Sequence, residues 1–308
     1  MFFSKTYLRR KRIVQTVQRV TRYRRLTLTN IVQFANIPVK YREYNQSRIV
    51  ILPIPYSTTT EESDLGPQAI LDASTSLFLY DHETDSEVYL HGICTLPPLQ
   101  CPASTTDMVA AVQKQAALLF RDEKTVVGLS GSRMITLGLV QGALDRYRNL
   151  SVLQLDAHAN LMASGKEAFT PISVMTEVNK LCPSVQIGIR GMEKSERAHT
   201  DPDRLVFARD LFRHGINAAN DALDILTDRV YITIDLNVLD PSSMPSVDKP
   251  EPGGIDWYML TRLIGQVALE KKIVGMDIVG LLPRHGNTAP DYLAAKLIYR
   301  ILSMIFSR

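Results

Sequence analysis

From Arg48 to the end of the chain, short apolar runs rich in β-branched residues alternate with stretches of helical periodicity, about seven times over. The runs 49–54, 125–129, 152–155, 185–189, 205–208, 229–234 and 273–278 read as strands. Between and after them, 66–80, 105–120, 135–147, 172–181, 218–227, 256–267 and 290–305 read as helices. Strands that are apolar on both faces and separated by helices are what a parallel sheet requires, because each parallel pairing needs a crossover. The chain is therefore expected to form one α/β domain over 48–308, with helices on both faces of a mostly parallel sheet, preceded by an extension over 1–47. Its length of 308 residues suits that division.

Open sheets of this kind bind ligands at the carboxyl ends of their strands. Three such ends carry unusual polar residues. Val152–Leu155 runs into Asp156-Ala-His158-Ala-Asn160. The run ending at Leu129 meets Ser130-Gly-Ser132-Arg133-Met134. The run ending at Ile234 meets Asp235-Leu-Asn237-Val-Leu-Asp240-Pro241. Asp and His are ligands for divalent metals, whereas Asn is a poor one because its oxygen is uncharged. Loop geometry offers a plainer account of the same residues, since Asp and Asn cap helices and turns.

Taken in order, these segments resemble the ureohydrolases, which include arginase and agmatinase, with agmatinase-like proteins nearest. Pro53-Ile-Pro-Tyr56, Gly66-Pro-Gln-Ala-Ile70, Asp156-Ala-His158-Ala-Asn160 and Ser184–Gly191 carry the resemblance. So do Thr233-Ile-Asp235-Leu-Asn237-Val-Leu-Asp240-Pro241, Pro250-Glu-Pro-Gly-Gly254 and Val274–Val279. It spans nearly all of 48–308. The resemblance implies a three-layer α-β-α sandwich and a homo-oligomer, trimer or hexamer. It also implies a binuclear manganese site, held by four Asp and two His, that activates a bridging hydroxide against a guanidino or amidine carbon.

The ligand positions depart from the family pattern. Asp156, His158 and Asp235 remain. Arg133 stands where the family has a His ligand, and an arginine cannot ligate. Asn160 and Asn237 replace two Asp ligands. Gly280 replaces the Glu that grips the substrate, and Phe169–Ser173 lacks the family's loop His. The carboxylates fall from four to two and a cation is added, so the local charge moves from −4 to −1. At an effective dielectric near 20, one unit charge about 4 Å away is worth roughly 4 kcal/mol. The expectation is a member that has lost the manganese pair and needs no cofactor, with no catalytic residue retained. The Arg133 guanidinium should lie between Asp156 and Asp235 as their bidentate counter-ion. It would act as a structural or regulatory subunit, alone or in a hetero-oligomer with an active relative. The alternative is a hydrolase of a guanidino compound with one manganese on Asp156, His158 and Asp235, completed by the Asn237 oxygen.

Charge is unevenly spread. Eleven basic residues precede the first acid, Glu43, and the remainder carries 24 basic against 32 acidic residues, a net of −8. Leu8, Ile13, Val14, Val17 and Val20 recur among those arginines at near-helical spacing. The extension reads as an amphipathic helix on the acidic body or a neighbouring subunit, or as an organelle presequence that would make the protein mitochondrial rather than cytoplasmic. Contact of 1–26 with nucleic acid or membrane is the weakest reading, because no aromatic platform accompanies the charge. Cys94, Cys101 and Cys182 show no CxxC spacing and are expected to be buried, reduced thiols. His82, His91, His199, His214 and His285, with Trp257, are assigned to packing or surface. Glu251 reads as a turn residue, and Asp240 and Asp277 as residues that hold loops. Arg190 is left open between a structural role and the cleft.

Overall fold

The computed structural model describes residues 31–57, 64–163 and 170–307. Eight strands form one sheet: β1 (Ile49–Pro53), β2 (Ile93–Thr95), β3 (Thr125–Leu129), β4 (Leu150–Leu155), β5 (Ser184–Ile189), β6 (Leu205–Phe207), β7 (Arg229–Asp235) and β8 (Lys272–Val279). Their order is β2-β1-β3-β8-β7-β4-β5-β6, and every neighbouring pair is parallel. The helices are α1 (Gly66–Ser74), α2 (Thr105–Arg121), α3 (Ile135–Leu144), α4 (Val174–Asn179), α5 (Ala208–His214), α6 (Asn220–Asp224), α7 (Trp257–Glu270) and α8 (Ala289–Phe306). The expected three-layer α-β-α sandwich is what forms.

Side chains alternate across a strand, so a sheet covered on both faces needs apolar residues at every position. The strands meet that demand. Ile49, Ile51, Val127, Leu129, Leu153, Leu155, Ile232 and Ile234 face the core made with α1, α7 and α8. Val50, Leu52, Val126, Val152 and Tyr231 face a second core made with α2, α3 and α4.

Three elements differ from expectation, one shortened and two not anticipated. The helix begun at Gly66 stops at Ser74 rather than near Tyr80. There the Ser74 hydroxyl donates back to Leu71 O at 2.6 Å and accepts from Ala35 N at 2.9 Å, so side-chain bonds take over from the helical ladder. Strand β2 is only three residues long and sits at the sheet edge, too short to show a period. Helix α5 begins at Ala208, where the chain leaves β6 without a loop. Residues 1–30 of the extension, most of the 57–64 loop and Phe169 lie outside the described residues. Cys94 and Cys182 are buried free thiols, whereas Cys101 is half-buried. Burial raises all three, Cys94 to about 12 and the other two to about 11.

Candidate functional site: an arginine-centred cluster

The three polar strand ends converge. Strands β3, β8, β7 and β4 are consecutive in the sheet, so their carboxyl ends open onto one crevice. Arg133 comes from the β3–α3 turn, whose shape is held by Ser130 and Ser132. Their hydroxyls accept from Ser132 N at 3.2 Å and Met134 N at 3.3 Å respectively. Asp156, His158 and Asn160 leave the end of β4. Asn160 sits at φ 56°, a left-handed conformation that Asn tolerates better than most residues. Asp235 closes β7 and caps the following turn by accepting from Asn237 N at 3.0 Å.

Arg133 is the hub. Its Nε and Nη2 donate to the same oxygen, Asp235 Oδ2, at 3.1 and 2.5 Å. Its Nη1 donates to Asn160 Oδ1 at 2.8 Å. Asn160 in turn donates through Nδ2 to Asp156 Oδ2 at 2.8 Å. The expected bridge from Arg133 to both carboxylates is thus corrected: the guanidinium takes one oxygen of Asp235 and reaches Asp156 through the Asn160 carboxamide. The remaining acceptors also have donors. Asp156 Oδ1 accepts from His158 N at 2.9 Å, and Oδ2 also accepts from Gln154 Nε2 at 3.0 Å.

Asn237 is turned away from a ligand's role. Its Oδ1 accepts from Ala157 N at 2.9 Å, so its NH2 faces His158 Nδ1 at 3.1 Å. That orientation follows from the Ala157 bond. Nδ1 of His158 is then an acceptor and Nε2 the donor, directed at Glu251 Oε1 3.4 Å away. The Asn237 oxygen expected to complete a single-metal site is therefore committed to the backbone. Among the described residues, no group of three or more His, Cys, Asp and Glu is placed to hold a metal ion.

Electrostatics follow from these contacts. Burial opposes the Arg133 charge, but Asp235 and Asp156 outweigh it, and its pKa rises above the ordinary value. Burial likewise opposes Asp156, yet Arg133 and the neighbouring His158, whose backbone N–H it accepts, hold its carboxyl below the usual range. For Asp235, burial pushes upward, Arg133 opposes, and the like charge of Asp156 adds to the push. The net direction for Asp235 is upward, while Arg133, which does not shed its proton, brings a full positive charge to its Oδ2. Burial lowers and Asp156 raises the proton affinity of His158, with a net rise. The short bond from Asn237 nevertheless requires the lone pair on Nδ1, and the 3.7 Å separation from Asp156 Oδ1 is too long for a hydrogen bond.

Arg190, left open between a structural role and the cleft, and Glu251, read as a turn residue, both matter here. Arg190, at the end of β5, donates to the carbonyls of Gly188, Asn237, Val238, Leu239, Glu251 and Pro252, at 2.7 to 3.3 Å. It ties the β7 turn and the 250–254 loop together. Glu251 on that loop reaches His158 and is more than a turn residue. Asp240 does hold the loop, accepting from Gly253 N and Gly254 N at 2.9 and 3.0 Å. Asp277 lies inside β8 and takes three hydroxyls, from Tyr231, Thr233 and Thr136.

Known proteins share this architecture. The Arginase family model matches residues 47–304. The N(1)-aminopropylagmatine ureohydrolase of Synechocystis sp. is 32% identical over 275 residues, covering 84% of this chain and 89% of that protein. The enzyme of the same name from Thermus thermophilus is 33% identical over 274 residues, covering 85% and 91%. Among solved structures, the agmatine ureohydrolase of Thermoplasma volcanium superposes with a TM-score of 0.80 at 23% identity, over 91% of this chain and 96% of that one. The proclavaminate amidino hydrolase of Streptomyces clavuligerus gives 0.78 at 20% identity, over 90% and 97%. With the family model spanning most of the chain, and relatives a third identical along nearly all of it, this chain belongs to the arginase family.

Proposed function

We propose that this chain is a non-catalytic member of its family, in which a fixed guanidinium has replaced the binuclear manganese pair. The observation that carries the reading is the saturation of the cluster. Arg133 supplies the positive charge between Asp235 and Asn160, and the other acceptor oxygens of Asp156, Asp235 and Asn237 already take N–H donors of the protein. The donor set does not fit two divalent ions: two carboxylates remain, the third candidate oxygen faces a backbone N–H, and a cation occupies the middle. A ligand must shed such bonds before it can bind. The protein then serves as a structural or regulatory subunit, in a homo-oligomer or beside an active relative.

A second reading has one observation in its favour. Asp156, His158 and Asp235 stand together, and relatives over most of the chain's length are named ureohydrolases. That reading is a hydrolase of a guanidino compound such as agmatine or aminopropylagmatine, working with one manganese. Metal analysis of protein purified and dialysed with excess manganese separates the two, together with urea release from both compounds. Our reading expects no stoichiometric metal and no urea. One manganese per chain with measurable urea would overturn it.

A further inference from the structure

The strands all run one way, so their amino ends lie opposite the crevice that holds Arg133. At those ends, residues 80–91 lead into β2 and Arg48, just before β1, lays its guanidinium over Phe306 of α8. Between the 80–91 segment and Phe306 is a cleft of about 450 Å³ with apolar walls from Val88, Leu90 and Phe306. Apolar surface continues around it. Residues 77–80 alternate: Leu77 and Leu79 pack on the core, while Phe78 and Tyr80 face outward, 79% and 52% exposed. Leu90 is 51% exposed, and Val39, 62% exposed, lies on the 39–41 turn packed against 88–91. Single exposed apolar residues are ordinary, but four large ones around one recess mark an interaction surface.

Buried bonds hold this surface in shape. Arg300 of α8 donates to Asp81 Oδ1 at 2.5 Å and also pairs with Glu83. Asp81 accepts from Thr84 N at 3.1 Å, fixing the turn that carries Asp85, and Tyr299 OH donates to Leu79 O. A preformed surface loses little freedom on docking. Both signs of charge stand on it. Asp85 accepts from Tyr80 OH at 2.9 Å and Glu87 from Tyr89 OH at 3.4 Å, and among the described residues neither has a Lys or Arg partner. Lys40 is exposed and has no carboxylate partner among the described residues. It sits 4.7 Å from the centre of Tyr41, whose ring packs edge-on against Tyr89. A ring contact leaves an exposed ammonium its charge. Glu87 and Lys40 thus flank one aromatic pair.

We propose that this surface joins two copies of the chain about a two-fold axis. An isologous interface needs a patch that complements itself, each residue meeting in the partner the residue that meets it in return. This patch carries the required pairs. It has a recess and, beside it, the projecting Phe78 ring, of a size to enter the partner's recess. It has an acid and a base, Glu87 and Lys40, that can meet across the axis twice. Its centre is apolar and its charges lie around that centre, the usual division of an interface into core and rim. A second copy carries every one of these complements by construction. The inference uses no residue of the arginine cluster, so it and the proposed function can fail separately.

Sedimentation equilibrium on the full chain tests it. The parent should show an even number of copies. Glu87→Lys and Lys40→Glu each set like charges against one another at both contacts, and each should raise the dissociation constant at least tenfold. Mixed in equal amounts, the two variants bring opposite charges together at both contacts, because the axis repeats each one, and the parental mass should return. Phe78→Ser should separate the copies as well, and mixing it with either charge variant should not restore them. Thermal melts of the variants control for folding; if one charge variant does not fold, the other decides together with Phe78→Ser. A monomeric parent, an odd number of copies, folded variants that keep the parental mass, or a mixture of the charge variants that stays dissociated would overturn the proposal.

Discussion

Asp235 and Gly280 compete for one space: a β-carbon at residue 280 would lie 2.5 Å from Asp235 Oδ1. Gly280 follows β8 with φ +85°, a conformation that L side chains rarely adopt. The position that holds a glutamate in the resembling enzymes is closed here for two reasons, one in the backbone and one in the neighbouring carboxylate. Gly280→Ala should therefore destabilise the protein by roughly 1–3 kcal/mol. Chemical denaturation measures it, and a neutral result would show that Asp235 has room to turn away.

Arg133→Ala should cost more. It strips the counter-ion from Asp235, which is 3% exposed, and leaves two buried carboxylates near each other. Breaking a buried pair by removing one partner costs roughly 3–5 kcal/mol. Arg133→Lys keeps the charge but not the planar fork that contacts Asp235 and Asn160 together, so its loss should fall between zero and that of alanine. Denaturation midpoints of the two variants give the ranking.

If the proposed function holds, restoring the family's residues at 133, 160 and 237 should bring metal binding back. The triple variant Arg133→His, Asn160→Asp, Asn237→Asp removes the tethered cation and returns two carboxylates to the crevice. Its melting temperature is expected to rise with added manganese while that of the parent does not, since a ligand bound only by the folded state stabilises it. With Gly280 unchanged, urea release should stay at background. A triple variant indifferent to manganese would mean that the scaffold no longer supports the pair.

Asp277 supplies a pH dependence of stated sign. Burial pushes its carboxyl up to about 7, against the pull of the hydroxyls of Thr233, Tyr231 and Thr136. The unfolded chain ionises near the ordinary carboxylate value of about 4. Between those values the folded state binds the extra proton, so stability falls as pH rises from about 4 to about 7 and is level above. The largest contribution is on the order of 4 kcal/mol. Asp277→Asn removes this titration, and its denaturation free energy should fall less steeply over that interval than the parent's. Parallel pH profiles would refute the assignment.

Arg190 is expected to secure the crevice rather than to react. It donates only to main-chain carbonyls, drawn from β5, the β7 turn and the 250–254 loop. Arg190→Ala leaves those carbonyls without their donor, at about 2–3 kcal/mol. Faster proteolysis within the 250–254 loop, without unfolding of the whole chain, is the observation to look for.

Much of this was legible in the sequence because it depends on local pattern. Continuous apolar strands and helical periods marked most elements, and the polar residues just past Leu129, Leu155 and Ile234 marked the crevice. Position in the chain does not specify rotamers, however. That both nitrogens of Arg133 choose one oxygen of Asp235, and that Asn160 relays to Asp156, depends on side-chain geometry set by neighbours far apart in sequence. The roles of Arg190, left open, and of Glu251, read as a turn residue, were not fixed for a related reason: their partners are main-chain carbonyls and a histidine brought close only by folding. Strand β2 was missed because three residues at an edge show no period.

A positive charge delivered on a side chain differs from one delivered by solution. The Arg133 guanidinium cannot be diluted away, extracted by a chelator or exchanged for a competing ion, and it is present from the moment the chain is made. On the proposed function, the crevice it occupies is assembled without dependence on how much manganese surrounds the protein.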